Sequence, residues 1–107
     1  MISLFTADKV RQIDQQAISS GISGYALMQR AASSALRVIA QYWPQTRCLM
    51  LFCGSGNNAG DGYEIARQAL SDGMDVQVFA LRPPDGLQGD ALLAAQAASA
   101  AGVPWQL

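Results

Sequence analysis

An α/β fold built on a parallel sheet is what this sequence predicts, and three observations carry the prediction. Cys48 to Cys53 reads Cys-Leu-Met-Leu-Phe-Cys, six apolar residues with no alternation, the pattern of a central strand covered on both faces. A glycine-rich stretch, Gly54 to Gly62, follows it directly and leads into a helical pattern. Apolar and helical runs then alternate to the end of the chain. The order β-α-β-α-β implies parallel strands, right-handed crossovers, helices on both faces and ligands at the carboxyl ends of the strands. The expected architecture is a three-layer α/β/α domain preceded by two N-terminal helices.

The elements follow in order. Thr6 stands where an N-cap would, and Val10, Ile13 and Ala17 recur at helical spacing until Gly21, which predicts a helix over about 7–20. A second helix is expected over about 24–42, with Leu27, Met28, Ala31, Ala35, Val38 and Ile39 on its apolar stripe and Pro44 closing it. Beyond the glycine-rich stretch, Tyr63 to Ser71 is helical in pattern and Val76 to Leu81 is a second apolar strand. Arg82-Pro83-Pro84-Asp85-Gly86 is a loop, and Asp90 to Ala101 is rich in alanine and leucine and ended by Gly102, hence a helix. Val103 to Leu107 completes a third strand. With no helix after it, the expectation is the N-terminal part, 1–107, of a domain truncated after the third strand.

Composition narrows the function. The chain has 107 residues, 50% apolar and 14% charged, as one soluble globular core requires. Seven basic against eight acidic residues, with no basic run, exclude a nucleic-acid partner. No apolar stretch approaches the roughly 20 residues needed to span a bilayer. Asp8 and Lys9 interrupt any signal sequence, so no membrane partner and a cytoplasmic location are expected. Cys48 and Cys53 lie on opposite faces of one strand and read as small core residues. There is no histidine, so chemistry must come from carboxylates, backbone amides or an added cofactor.

The stretch Gly54-Ser55-Gly56-Asn57-Asn58-Ala59-Gly60-Asp61-Gly62 sits between a strand and a helix, where backbone amides and the positive end of a helix meet an anion. Four glycines in nine residues point to positive φ angles and close approach of main chain to a phosphate, and the asparagine amides add donors. Gly54-x-Gly56-x-x-Ala59 also satisfies a dinucleotide fingerprint. In that motif an acid at the end of the second strand binds the ribose, whereas here the strand ends on Leu81 and Arg82. An arginine there suits a 2′-phosphate. The polar asparagine pair and a helix start delayed to about Asp61 argue against an ordinary hydride-transfer enzyme using Gly54, Gly56, Ala59 and Arg82.

Asn57-Asn58-Ala59-Gly60-Asp61-Gly62-Tyr63, followed by Ala66-Arg67, resembles the Asn-Asn-Gly-Gly-Asp-Gly loop of the NAD(P)H-hydrate epimerases, the YjeF N-terminal domain family. Asp14 and Leu27-Met28-Gln29-Arg30-Ala31 extend the resemblance upstream. It implies a Rossmann-like fold and epimerisation at C6 of the hydrated cofactors NADHX and NADPHX. It also implies a possible fused dehydratase, dependent on ADP or ATP, in a bifunctional repair enzyme, and leaves a homodimer open. Carried over by position, Asn57, Asn58, Ala59, Gly60 and Asp61 line the phosphate site, and Asn58 is the potassium ligand. No catalytic residue falls in this stretch, because the family aspartate lies downstream, and this stretch alone is expected to be inactive.

Two departures stand out. Ala59 replaces a family glycine, at a cost of about 1 kcal/mol if that position needs positive φ. Ala32 replaces another in the second helix, where the change favours helix. The alternative function is a non-catalytic nucleotide-binding or protein-interaction module of the same fold.

Overall fold

The computed structural model describes residues 22–56 and 58–107; the helix expected over 7–20, and Asn57, lie outside them. Helix α1 spans Gly24–Tyr42, the bounds expected. Ser23 caps it, its Oγ accepting from the Ala26 amide at 3.1 Å, and the Trp43 N–H closes the last turn on the Ile39 carbonyl at 2.8 Å just before Pro44. Its apolar stripe is narrower than expected. Leu27, Met28 and Ala32 are buried and Leu36 packs beside them, whereas Ala31 and Val38 are exposed. The helix meets its neighbours along the i, i+4 line Met28–Ala32–Leu36 and turns the next line outward.

Strands β1 (Cys48–Cys53), β2 (Asp75–Ala80) and β3 (Trp105–Gln106) form a parallel sheet in the order β1-β2-β3. Helix α2 (Asn58–Ser71) connects β1 to β2, and α3 (Gly89–Ala100) connects β2 to β3 after a 3-10 turn at Pro84–Gly86. The α/β class, the parallel sheet and the strand–helix alternation are therefore present. Register pairs Leu49 with Val76, Leu51 with Val78 and Cys53 with Ala80 on one face, and Met50 with Gln77 and Phe52 with Phe79 on the other.

Only the first of these faces is covered by described residues. Val76 and Val78 join Ala66, Ala69, Ala94 and Ala98 of the helices in the core. On the second face Met50 is 65% and Phe52 80% exposed, and Phe52 stacks on Phe79 with ring centroids 5.3 Å apart. This corrects the expectation that β1 is central and buried on both faces. Two successive right-handed crossovers stepping the same way across a sheet leave their helices on the same side, so α2 and α3 share a face. The second helical layer expected on the other face is absent among the described residues, and β1 pairs there with β2 alone.

The cysteines lie on opposite faces of β1 as expected, but only Cys53 is a core residue; Cys48 is exposed because its face of the sheet is uncovered among the described residues, and both are free. Burial pushes the Cys53 thiol up to about 11. Alkylation at neutral pH should therefore label Cys48 and leave Cys53 untouched until the chain is denatured, and peptide mass spectrometry reads the two sites separately.

Helix α2 ends on Gly73, at φ +89, with the Met74 N–H reaching back to Ala69 at 3.0 Å. Gly73→Ala should lower stability by about 1 kcal/mol, read as a shift of the denaturation midpoint at constant slope. No helix among the described residues is long and apolar enough to cross a membrane.

Candidate phosphate loop

The chain leaves β1 at Cys53, and Gly54, Ser55 and Gly56 are exposed at the carboxyl end of the sheet. Helix α2 then begins at Asn58. The expected loop over 54–62 is thus a short loop followed by helix, and the start delayed to Asp61 is corrected. Asn58 is exposed at the first position, Ala59 and Gly60 are buried, and Asp61 is half-buried in the first turn. A carboxylate there complements the positive helix end. The first amides of a helix have no carbonyl partner within it and are available to an anion.

The glycines divide into two pairs with different reasons. A Cβ on Gly60 would lie 2.6 Å from Met28 Cε and 2.8 Å from Ala91 Cα, and one on Gly62 would lie 2.6 Å from Cys53 Sγ. Those two glycines let α1, α3 and β1 close onto α2. At Gly54 and Gly56 a Cβ would meet nothing within 4 Å, and neither has positive φ. The positive φ angles anticipated for this segment are absent among its described residues.

Ala59 is helical and 1% exposed, no non-glycine residue described has positive φ, and its N–H donates to the Gly56 carbonyl at 3.0 Å. The anticipated cost at Ala59 therefore does not arise. The methyl is part of the core, and so is that of Ala32, also 1% exposed.

Behind the loop lies a polar cluster that the sequence did not lead us to expect. Glu64 is fully buried and pairs with Arg67, which contacts both carboxylate oxygens. Gln68 Nε2 donates to Glu64 at 3.1 Å and to the Gln29 carbonyl at 3.0 Å, while the Tyr25 hydroxyl donates to Glu64 at 3.3 Å. Ser33 Oγ joins Gln68 at 2.8 Å. The cluster fastens α1 to α2. Burial, then the charge of Glu64, raises the Tyr25 hydroxyl; the hydrogen bond to Glu64 is the main cause holding the Arg67 guanidinium up. A sequence signal existed, since Gly60, Glu64 and Gln68 recur at i, i+4, i+8 on one face and Arg67 follows Glu64 at i+3.

The tyrosine after the loop, Tyr63, is 2% exposed. Burial, with a smaller contribution from Cys53, pushes its hydroxyl up to about 12, so it stays a proton-bearing donor at neutral pH. It borders a cleft of about 330 Å³ beside the loop that follows β2.

Residues 24–107, from the first residue of α1 onward, match the family described as the YjeF-related protein N-terminus. The chain belongs to this family. Among curated relatives of this YjeF-related domain, the bifunctional NAD(P)H-hydrate repair enzyme Nnr of Coxiella burnetii is 36% identical over 97% of the chain and 21% of its own length. The NAD(P)H-hydrate epimerase of Rhodopirellula baltica is 38% identical over 95% of the chain and 42% of its own length. The bifunctional enzyme of Escherichia coli is 36% identical over 89% of the chain and 19% of its own length. This YjeF-related chain thus spans between about a fifth and less than half of these relatives.

Proposed function

We propose that Gly54 to Asp61 holds the phosphates of a hydrated nicotinamide dinucleotide, NADHX or NADPHX, for epimerisation by the longer protein, an isomerase that repairs the cofactor. The observation that carries this reading is that Gly54 and Gly56 serve neither packing nor a positive φ. Bare main chain facing open space beside a helix N-terminus is what close approach to phosphate calls for. Relatives named for NAD(P)H-hydrate epimerisation and repair supply the substrate class.

Within the reading, Asn57 and Asn58 offer side-chain amides, Ala59 closes the turn through its bond to Gly56, and Gly60 and Asp61 complete the first turn. Potassium is the implied cation. The neutral amide oxygen of the exposed Asn58 is a suitable donor for a hard monovalent ion, and a coordination shell requires further oxygens from elsewhere. This chain's share of the work is binding, with the acid–base group supplied by the rest of the protein. A fused dehydratase belongs to the same proposal.

The test is equilibration of the two NADPHX epimers, with and without potassium, by these 107 residues and by the complete gene product. Activity in the complete protein alone is the expected result. Inactivity of both would leave a non-catalytic binding module. In the active protein, Asn58→Ala should raise the potassium concentration for half-activation about tenfold, the effect of losing one good neutral ligand. An unshifted potassium curve would remove Asn58 from the cation site.

A further inference from the structure

Two features are left over by the phosphate loop, and both lie at the carboxyl end of β2. The Leu81 N–H donates to the Cys53 carbonyl at 2.9 Å, so the β1–β2 ladder runs one step past the strands and sets Arg82 beside the start of the loop. Arg82 is exposed and makes no hydrogen bond or ion pair among the described residues. Directly after it, Pro83 and Pro84 form one wall of the cleft of about 330 Å³, with Ala98, Val103 and Trp105 opposite and Tyr63 beside them.

Tyr63 gives the cleft a polar group. Its hydroxyl has no hydrogen-bond partner among the described residues, yet no fully buried polar atom among them is left unpaired. Tyr63 is 2% exposed and is one of the residues lining the cleft. A concave, largely apolar site of this size bordered by a few polar residues, here Tyr63, Asp85, Gln96 and Ser99, is the form small-molecule sites take.

In parallel α/β folds that bind dinucleotides across β1, the residue at the end of β2 meets the adenosine ribose. A carboxylate there accepts from the 2′-hydroxyl, and an arginine accommodates a 2′-phosphate. The helix start at Asn58, inside Gly54-x-Gly56-x-x-Ala59, and the close seat of Gly62 on Cys53 reproduce that geometry here. The nearest acid beyond β2, Asp85, is three residues past Arg82 in the 3-10 turn.

We propose that the end of β2 is the adenosine subsite of the phosphate loop, with Arg82 pairing with a 2′-phosphate and the Tyr63–Pro83–Trp105 cleft receiving the adenine. This rests on the dinucleotide reading above and adds a preference to it, for the NADP-derived over the NAD-derived substrate.

Direct binding separates the two ideas. The complete gene product is titrated with adenosine 2′,5′-bisphosphate and with adenosine 5′-monophosphate, following Trp fluorescence and heat. The bisphosphate should bind at least about tenfold tighter, as a charge-assisted guanidinium–phosphate pair provides, and Arg82→Ala should erase the difference. Tyr63→Phe, which keeps the packing, should weaken both nucleotides severalfold and equally.

Equal affinity of the two nucleotides for the wild type, or an advantage that survives Arg82→Ala, overturns the proposal. Tyr63→Phe with no effect removes the adenine from the cleft. The epimer assay fails or succeeds independently of these titrations, so loss of the epimerase reading is distinguishable from loss of this one.

Discussion

Gly60→Ala should lower the stability of the domain by about 3 kcal/mol, at the upper end of what overpacking a core costs. The added methyl would sit 2.6 Å from Met28 Cε and 2.8 Å from Ala91 Cα. The first neighbour is the end of a flexible side chain and can swing away; the second is backbone, and moving it means moving α3. Met28→Ala in the Gly60→Ala background should therefore recover only part of the loss, because the contact with α3 remains. Urea denaturation of the single and double variants measures both numbers.

Gly54→Ala and Gly56→Ala form the contrast. With nothing within 4 Å of either added methyl, the midpoint should move by less than about 0.5 kcal/mol, while affinity for a phosphate ligand falls. A Gly60→Ala protein as stable as the wild type would dismiss the wedge of α2 between its neighbours.

Arg67→Ala is the second large effect, with an expected loss of about 3 kcal/mol. The arginine is 29% exposed, but its partner Glu64 is not exposed at all. Truncation strands a buried carboxylate with only Gln68 and Tyr25 to satisfy it. Glu64→Gln should cost less, since it removes the charge and keeps a group that can bond to Gln68 and Tyr25. Neither loss should respond much to added salt, because a buried pair is poorly screened. If Glu64→Gln proved the worse of the two, the carboxylate charge itself would be stabilising, and the cost of Arg67→Ala could not be assigned to a stranded anion.

The parts of the fold legible in the sequence are those governed by local chemistry. Ser23 and Pro44 bound α1 correctly because capping and the missing proline N–H act within a few residues of themselves. The alanine-rich α3 and its stop near Gly102 follow from propensity. β2, at Asp75–Ala80, is shifted from its expected bounds by one residue at each end.

What the sequence conceals depends on neighbours distant along the chain. Gly60 and Gly62 look like loop residues because glycine disfavours helix, and nothing local reveals that Met28, Ala91 and Cys53 will crowd them. The apolar run of β1 suggests two-sided burial, since composition cannot say on which side its connecting helices will cross. Glu64 shows only half of its role locally, in its spacing to Arg67 and Gln68, because its burial depends on α1, from which Tyr25, 39 residues away, bonds to it. The glycines mark the loop, yet their division into packing and open positions is a property of the folded chain alone.

Mutation can therefore reach the two pairs of glycines with very different results. Substitutions that blunt the open mouth at 54 and 56 leave folding almost untouched, whereas those at 60 and 62 strike the scaffold itself. Under the proposed phosphate reading, descendants of such a gene can lose the ligand by a single tolerated step and persist as folded proteins, free to be recruited for other work, while the reverse order of loss is closed to them.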